Sequence, residues 1–428
     1  MIELKPNLMQ GYTCPICGTE LAATDFLITG MRTLVEGSCN LCKKDFITDM
    51  PTGFGLYYPT TIELDSKKVF DPVNVKWHSD LLLNSLENKI EHAVNLNIIK
   101  FKERAEIIII NCLDFLYGHA LLKLFNVQYY LDTYKSKGIC VLIPRQFRIL
   151  VPDGVSEIWE VDMPLKELRL WHTQLDKKIH DEVYKRKKCY LCVCFNHPVA
   201  GSFDIHRFVK NPSNNLHFKK PVFVFIYRED RLWGKSMNKQ LKNINNLYTL
   251  LKNYYTDITF IATGITKDKK SINRLFANKF HNGIINETTD KPSVNHEKLW
   301  LDIYGVADCA IGVHGSNMII PSALAECIVE LLPESRYSNI FQEYLPTTND
   351  DNHLENLYRF RIVYGNKTLE DISPERIFLI VKSLIDGKVR FRDYMGKEFQ
   401  DRSYYKEKSD RLKEITDYFL KYKINKMT

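Results

Sequence analysis

The chain has 428 residues, which at about 100–200 residues per domain implies two to four domains. Hydrophobic residues make up 45% and charged residues 26%, the balance of a folded chain and not of a disordered one. Lys+Arg 59 against Asp+Glu 52 leaves +7, too thin an excess for a nucleic-acid binder but suited to a small anionic substrate such as a nucleotide. No apolar run reaches the roughly 18–20 residues that span a bilayer. The N-terminus, MIELKPNLMQGYTCPICG, has neither a basic n-region nor an apolar h-region. It reads as no secretory signal, so the expected compartment is the cytoplasm, with the inner face of a membrane as the other location.

Four of the eleven cysteines form two pairs, Cys14-x-x-Cys17 and Cys39-x-x-Cys42, with 21 residues between them. Each pair sits in turn chemistry, CPICG and CNLCKKD, and each aims two thiolates at one point. Two such knuckles complete a closed, tetrahedral zinc site. The segments LAATDFLITG and MRTLVEGS between them read as the hairpin of a zinc ribbon. Disulfides are disfavoured in a reducing compartment, and a redox dithiol needs one C-x-x-C in a βαβ setting, not two in a ribbon. With four cysteine ligands no position is open for catalysis, so the expected cofactor is structural zinc, holding a module too small to build its own core. Cys189, Cys192 and Cys194 in KKCYLCVCFNHP read as a buried strand, with a metal site shared with His197 as the alternative. Cys112, Cys140, Cys309 and Cys327 read as core residues.

Met50–Asp71 reads as a loop-rich connector, followed by helical periodicity in WHSDLLLNSLENKIEHAVNLNIIKF. Strand and helix then alternate: AEIIIINCLD, GHALLKLFNVQYYLDTY, GICVLIP, VSEIWEVD and a helix in KELRLWHTQLDKKIHDEVYKRKK. The polar stretch HRFVKNPSNNLHFKKP reads as an interdomain linker. Alternation restarts with the strand PVFVFIYR, the helix SMNKQLKNINNLYTLLKNYY and the strand DITFIATG. The helix HEKLWLDIYGVA, the strand DCAIGVHG, a helix start at SNMIIPSALAE and the strand CIVELLP follow. From Ser373 onward the chain reads as mostly helical. Such alternation implies parallel sheets in an α/β arrangement.

The chemistry concentrates at residues 307–334. A hydrophobic strand runs into His314-Gly315-Ser316-Asn317, where a helix begins. Ligands of open α/β sheets bind beyond the carboxyl ends of strands, and a helix start with a glycine and capping side chains favours an anion. A strand–turn–helix with a capping Ser or Asn is the bland alternative; His314, expected to face a cleft, shifts the weight. Tyr227-Arg228-Glu229-Asp230-Arg231 ends another strand, and arginine forks suit phosphate. Taken alone, REDR reads as a self-paired surface turn.

The string GVHGSNMIIPSALAECIVELLP resembles the HGAGLTN…P…VVE signature of glycosyltransferase family 61, a group of inverting, metal-independent enzymes with the GT-B fold. YREDR matches that family's arginine-ended strand through Arg228 and Arg231. NCLDFLYGHALLKLFNVQYYL is similar to its strand–loop–helix, with His119 on the histidine. The resemblance spans roughly residues 105–335; Ser316 and Met318 depart from it, and a zinc ribbon is not part of it. It implies two Rossmann-like domains preceded by the four-cysteine ribbon: residues 1–60 ribbon and connector, 61–210 acceptor side, 217–428 nucleotide-sugar side. It also implies that Arg228, Arg231, His314, Gly315, Ser316 and Asn317 bind a donor, with UDP preferred, and that Glu330 touches the ribose. No catalytic metal is expected, since arginines and a helix dipole supply the positive charge. The candidate bases are Asp114 and His119, with Asp114 favoured. The acceptor is a glycan, a lipid-linked sugar or a protein, with no nucleic acid and with a homo-oligomer allowed. Two rival classes remain: another GT-B nucleotide-sugar enzyme such as an epimerase, and a zinc-ribbon nucleic-acid binder. The latter is disfavoured because residues 1–50 carry only Lys5, Arg32, Lys43 and Lys44 as cations.

Overall fold

A computed structural model describes residues 1–193, 203–210, 216–266, 281–340, 344–345 and 359–395. Strand β1 (Ile2–Lys5) opens the chain and leads into the ribbon: β2 (Ala22–Ile28), β3 (Thr33–Cys39), β4 (Lys44–Asp49), β5 (Thr61–Glu63) and β6 (Val69–Phe70). These five pair in chain order as an antiparallel meander. The stretch expected to be a loop-rich connector therefore supplies two strands, because Thr61–Glu63 completes the open edge of β4.

The first α/β unit is a six-stranded sheet built from β7 (Leu96–Lys100), β8 (Glu106–Asn111), β9 (Gly138–Pro144), β10 (Glu157–Val161) and β11 (Lys188–Leu191), in the order β1-β11-β8-β9-β10-β7. The inner four strands are parallel; β1 and β7 close the edges antiparallel. In β8, Ile107 to Ile110 are all buried, as a central parallel strand covered on both faces requires. The expected long helix is cut short: it covers Lys76–Glu87 and ends before LNIIK, whose β-branched residues pair as β7.

The second unit holds β12 (Val222–Tyr227), β13 (Thr259–Ile265), β14 (Ile284–Thr289), β15 (Cys309–Val313), β16 (Ile328–Pro333) and β17 (Phe360–Gly365). All pairs are parallel and the order is β14-β13-β12-β15-β16-β17. Numbered within the unit, that is 3-2-1-4-5-6, the doubly wound order whose direction reverses between β12 and β15. Helix Met237–Tyr254, capped by Ser236, buries Leu241, Ile244, Leu247, Tyr248 and Leu251 on one face of this sheet. Helix Val294–Val306 lies on the other face, where Trp300, Leu301, Ile303 and Tyr304 share one core with Phe147 and Ile158 of the first unit. The two sheets thus meet across a common apolar layer.

The ribbon is not an independent module. Phe26, Ile28, Val35, Phe46 and Met50 belong to the same buried cluster as Ile107, Ile109, Leu142 and Trp159 of the first sheet. The stretch read as a linker is likewise packed at its start, with Phe208 and Val209 buried against Phe125. Cys112, Cys140, Cys189, Cys192, Cys309 and Cys327 are core residues. Cys194, His197, residues 211–215 of the linker and the C-terminal charged tail beyond residue 395 lie outside the described residues. Among the described residues no helix is long and apolar enough to cross a membrane.

Candidate active site

A cleft of about 650 Å³ opens where the carboxyl ends of both parallel sheets face each other. On the first unit's side, Tyr117 follows β8, Arg145 follows β9 and Asp162 follows β10. On the second unit's side, Arg228 follows β12, Gly264 ends β13, Ser293 and Glu297 follow β14, and Ser316 and Asn317 follow β15. The cleft therefore covers the β12/β15 reversal, the position at which doubly wound sheets bind ligands.

At that reversal the two expected motifs are joined. Arg228 Nη1 donates to the His314 carbonyl at 3.1 Å and to Asn317 Oδ1 at 2.7 Å, and Arg231 Nη1 donates to the same carbonyl at 2.8 Å. Arg228 also grips Asp230 through Nε at 2.8 Å and Nη2 at 2.5 Å. The turn is self-paired, as the surface-turn reading has it, and it is also bolted to the His314–Asn317 turn. Gly315 has φ +146, and a Cβ there would collide with Arg228 Nη1 and lie 2.8 Å from Arg231 Nη1. The glycine makes room for the arginines, a correction to the expectation that it clears space for a phosphate. Gly118 plays the matching part across the cleft, since its Cβ would meet Ser316 Cβ at 2.6 Å. With its Oδ1 held by Arg228, Asn317 keeps a buried Nδ2 that has no hydrogen-bond partner in the structure. That orphan amide is a donor in want of an acceptor.

Four expected contact residues, Arg231, His314, Gly315 and Glu330, do not line the cleft. His314 and Glu330 are each 1% exposed, and neither lines the cleft. His314 N bonds to Leu331 O at 2.9 Å, which turns its ring toward the adjacent strand, and Nδ1 meets Glu330 Oε1 at 2.5 Å. The ring expected at the cleft is a buried partner, and the glutamate expected at a ribose is its counterpart. Only the histidine's carbonyl reaches the arginines.

The candidate bases also separate. Asp114 is fully buried, with Lys123 Nζ 2.9 Å and His119 Nδ1 3.6 Å from its carboxylate, and it accepts from Leu116 N at 3.0 Å. Burial opposes its ionisation, but Lys123 and His119 overcome that and hold the carboxyl down at about 2. Such a carboxylate is a poor proton acceptor, so Asp114 is an anchor for its neighbours. His119 keeps an 18% exposed side chain. Its ring stands 4.9 Å from Phe54, whose own neighbours Tyr58 and Trp77 come from the β4–β5 loop and the helix after the ribbon.

Glu297, in the first turn of helix Val294–Val306, is the residue the sequence reading missed. Asp162 is paired with Arg145 at 2.7 Å, and Asp230 with Arg228. The Glu297 carboxylate has no hydrogen bond or ion pair among the described residues, and burial pushes it up to about 7. Reading the residue just after each parallel strand would have found Arg145 and Asp162; Glu297 carries no such signal.

The four-cysteine cluster lies away from this cleft. The sulfur atoms all sit within 4.8 Å of one another, with Cys14–Cys42 at 4.0 Å and Cys17–Cys39 at 3.5 Å. Thiolates on one zinc at about 2.3 Å stand about 3.8 Å apart, whereas a disulfide brings sulfurs to about 2.05 Å. Both knuckles close with the same bond, Gly18 N to Cys14 O at 2.9 Å and Lys43 N to Cys39 O at 2.8 Å. The donor set and spacing fit a tetrahedral thiolate-loving metal.

No known protein-family pattern matches the chain, and no curated protein does. Solved structures of similar fold include the ADP-heptose LPS heptosyltransferase II of E. coli, with 11% identity, 66% of this chain and 99% of that one covered, and a TM-score of 0.41. A family 9 glycosyl transferase from Veillonella parvula shares 8% identity over 68% of this chain and 99% of its own, with a TM-score of 0.44. MurG of Acinetobacter baumannii shares 11% over 65% and 90%, with a TM-score of 0.29. The fold is a pair of parallel-sheet α/β units joined to a four-cysteine ribbon, and these likenesses concern the chain path alone.

Proposed function

We propose that the protein is a glycosyltransferase that moves a sugar from a nucleotide-sugar donor to a hydroxyl acceptor with inversion. The observation that carries this reading is the cleft between two carboxyl edges, with Arg228, Arg231 and the orphan Asn317 amide gathered at the β12/β15 reversal. The donor diphosphate lies at that reversal, within reach of the arginine forks and the first N–H groups of the Ser316 turn. Charge developing on the departing diphosphate is met by guanidinium groups, so no divalent ion is required. UDP is the preferred nucleotide. The acceptor, a glycan, lipid-linked sugar or protein, enters along the first unit's edge, beside Tyr117 and Arg145. Cys14, Cys17, Cys39 and Cys42 hold one zinc ion, which pins the ribbon to the first sheet.

The test is a panel of UDP-, GDP-, ADP- and CMP-sugars in buffer without magnesium or manganese, followed by NMR of the sugar products. Release of nucleotide with an inverted anomeric linkage is expected from one donor. A strict need for magnesium would remove the metal-free reading, and a sugar epimerised without any acceptor would move the chain to the epimerase class. That class calls for carboxylates and histidines together around the sugar; Asp162, Glu229, Asp230 and Glu297 line the cleft, whereas His119 and His314 do not. Metal analysis is expected to give about one zinc per chain.

A further inference from the structure

The cleft holds three carboxylates whose surroundings are explicit. Asp162 is neutralised by Arg145 and Asp230 by Arg228, both across distances at which a proton is not wanted. Glu297 differs from them: it projects from the first turn of its helix into the interdomain cleft, beside the apolar ring of Trp300, and no cation pairs with it among the described residues. From the first unit Tyr117 faces it across the gap, and from its own helix Tyr304 stands two turns further on. His296 beside it is engaged in the helix cap with Ser293. The β12 end contributes Arg228, Glu229 and Asp230 to the same cleft. An unpaired, half-buried carboxylate in such walls has one stable use, to share a proton with a hydroxyl brought in by a ligand.

Resting on the glycosyl-transfer reading, we propose that Glu297 is the general base that takes the acceptor's hydroxyl proton. The acceptor O–H bond breaks and its proton passes to a Glu297 carboxylate oxygen. The freed oxygen lone pair forms a bond to the donor's anomeric carbon, and the bond from that carbon to the diphosphate breaks with its electron pair on the leaving oxygen. Arg228, which lines the cleft, faces the charge that appears there, and Arg231 braces the same turn from behind through the His314 carbonyl. Atoms and charge balance with no further reactant. Burial holds the Glu297 carboxyl near neutrality, where a base combines strength with availability, while Asp114 is too acidic to serve.

The experiment compares wild type with Glu297→Gln and Glu297→Asp by nucleotide calorimetry, circular dichroism and a pH series of kcat/KM. Expected is unchanged nucleotide affinity in both variants, with turnover of Glu297→Gln down about 10²–10⁴-fold, the usual contribution of a general base. Wild-type kcat/KM is expected to rise with pH to a midpoint near 7 and then level, and that limb is expected to vanish in Glu297→Gln. Glu297→Asp keeps the limb at lower turnover, which guards against a fold defect in the first variant. Turnover of Glu297→Gln within threefold of wild type, or an unchanged pH limb, overturns the assignment and leaves the transfer reading intact. Wild-type protein that binds no nucleotide overturns both.

Discussion

Each α/β unit places a histidine against a carboxylate near the carboxyl end of its sheet, and the two pairs have opposite fates. In the second unit the His314 ring and Glu330 are sealed in the core at 2.5 Å, and only the histidine's backbone carbonyl reaches the cleft side. In the first unit the carboxylate of Asp114 is sealed, but His119 stands 3.6 Å away with part of its ring exposed. The sealed pair shapes a turn whose carbonyl fixes two arginines. The open pair leaves a titratable ring at the surface. The same residue types thus do structural work on one side and remain available on the other, and burial alone separates them.

The sharpest break of this contrast is at the arginines that the sealed pair positions. Arg228→Ala should lower kcat/KM by about 10²–10³-fold, the scale for losing one preorganised charged donor, and Arg228→Lys should restore little because an ammonium lacks the fork. Steady-state kinetics with the preferred donor measures both; near-normal turnover would remove Arg228 from the leaving-group site. Next comes the sealed pair itself. His314→Ala should cost about 3 kcal/mol in urea unfolding, because a fully buried ring and its bond to Glu330 are lost together, whereas His119→Ala should cost under about 1 kcal/mol. Equal losses would erase the distinction. A third test uses acid. The folded Asp114 carboxyl is depressed to about 2 from 3.8, so its contribution is present above the unfolded value and lost as pH falls toward 2. That amounts to about 2 kcal/mol, and Asp114→Asn should flatten the stability profile over that range. The smallest effect is expected at Gly315. A Gly315→Ala side chain has to sit at positive φ against the two guanidinium groups, which should cost about 1–2 kcal/mol of stability and weaken nucleotide binding together. A loss of stability with unchanged affinity would make the turn a plain helix cap.

Much of this molecule is legible in its residue order, and the misses have physical causes. Continuous apolar runs such as EIIIIN, VFVFIY and CAIGV announce buried parallel strands, and the paired C-x-x-C knuckles announce their cluster. The antiparallel edges formed by IELK and LNIIK carry no such run, since an edge strand need bury only part of one face. At the site, the strand ends after β12 and β15 are readable and meet as expected. The direction of the His314 ring is not, because a polar side chain at a strand exit goes where its partner is, and that partner, Glu330, is 16 residues away. Glu297 is invisible for the opposite reason: no side chain among the described residues pairs with it, and its character comes from walls contributed by distant segments.

The pairing of β1 with β11 sets a timetable for synthesis. Ile2 lies opposite Leu191, and between them the chain makes the whole ribbon and four strands of the first sheet. A ribosome adding about 5–20 residues per second needs roughly 10–40 s to deliver that partner after the first residues emerge. Until β8, β9 and β10 emerge within that interval, the ribbon's apolar side, with Phe26 and Phe46, has no sheet to cover it. Metal uptake at the knuckles can begin once Cys42 has left the exit tunnel, long before the strand that closes the sheet exists. The four-cysteine cluster is then complete in the nascent chain before strands β7 to β11 of the first sheet exist.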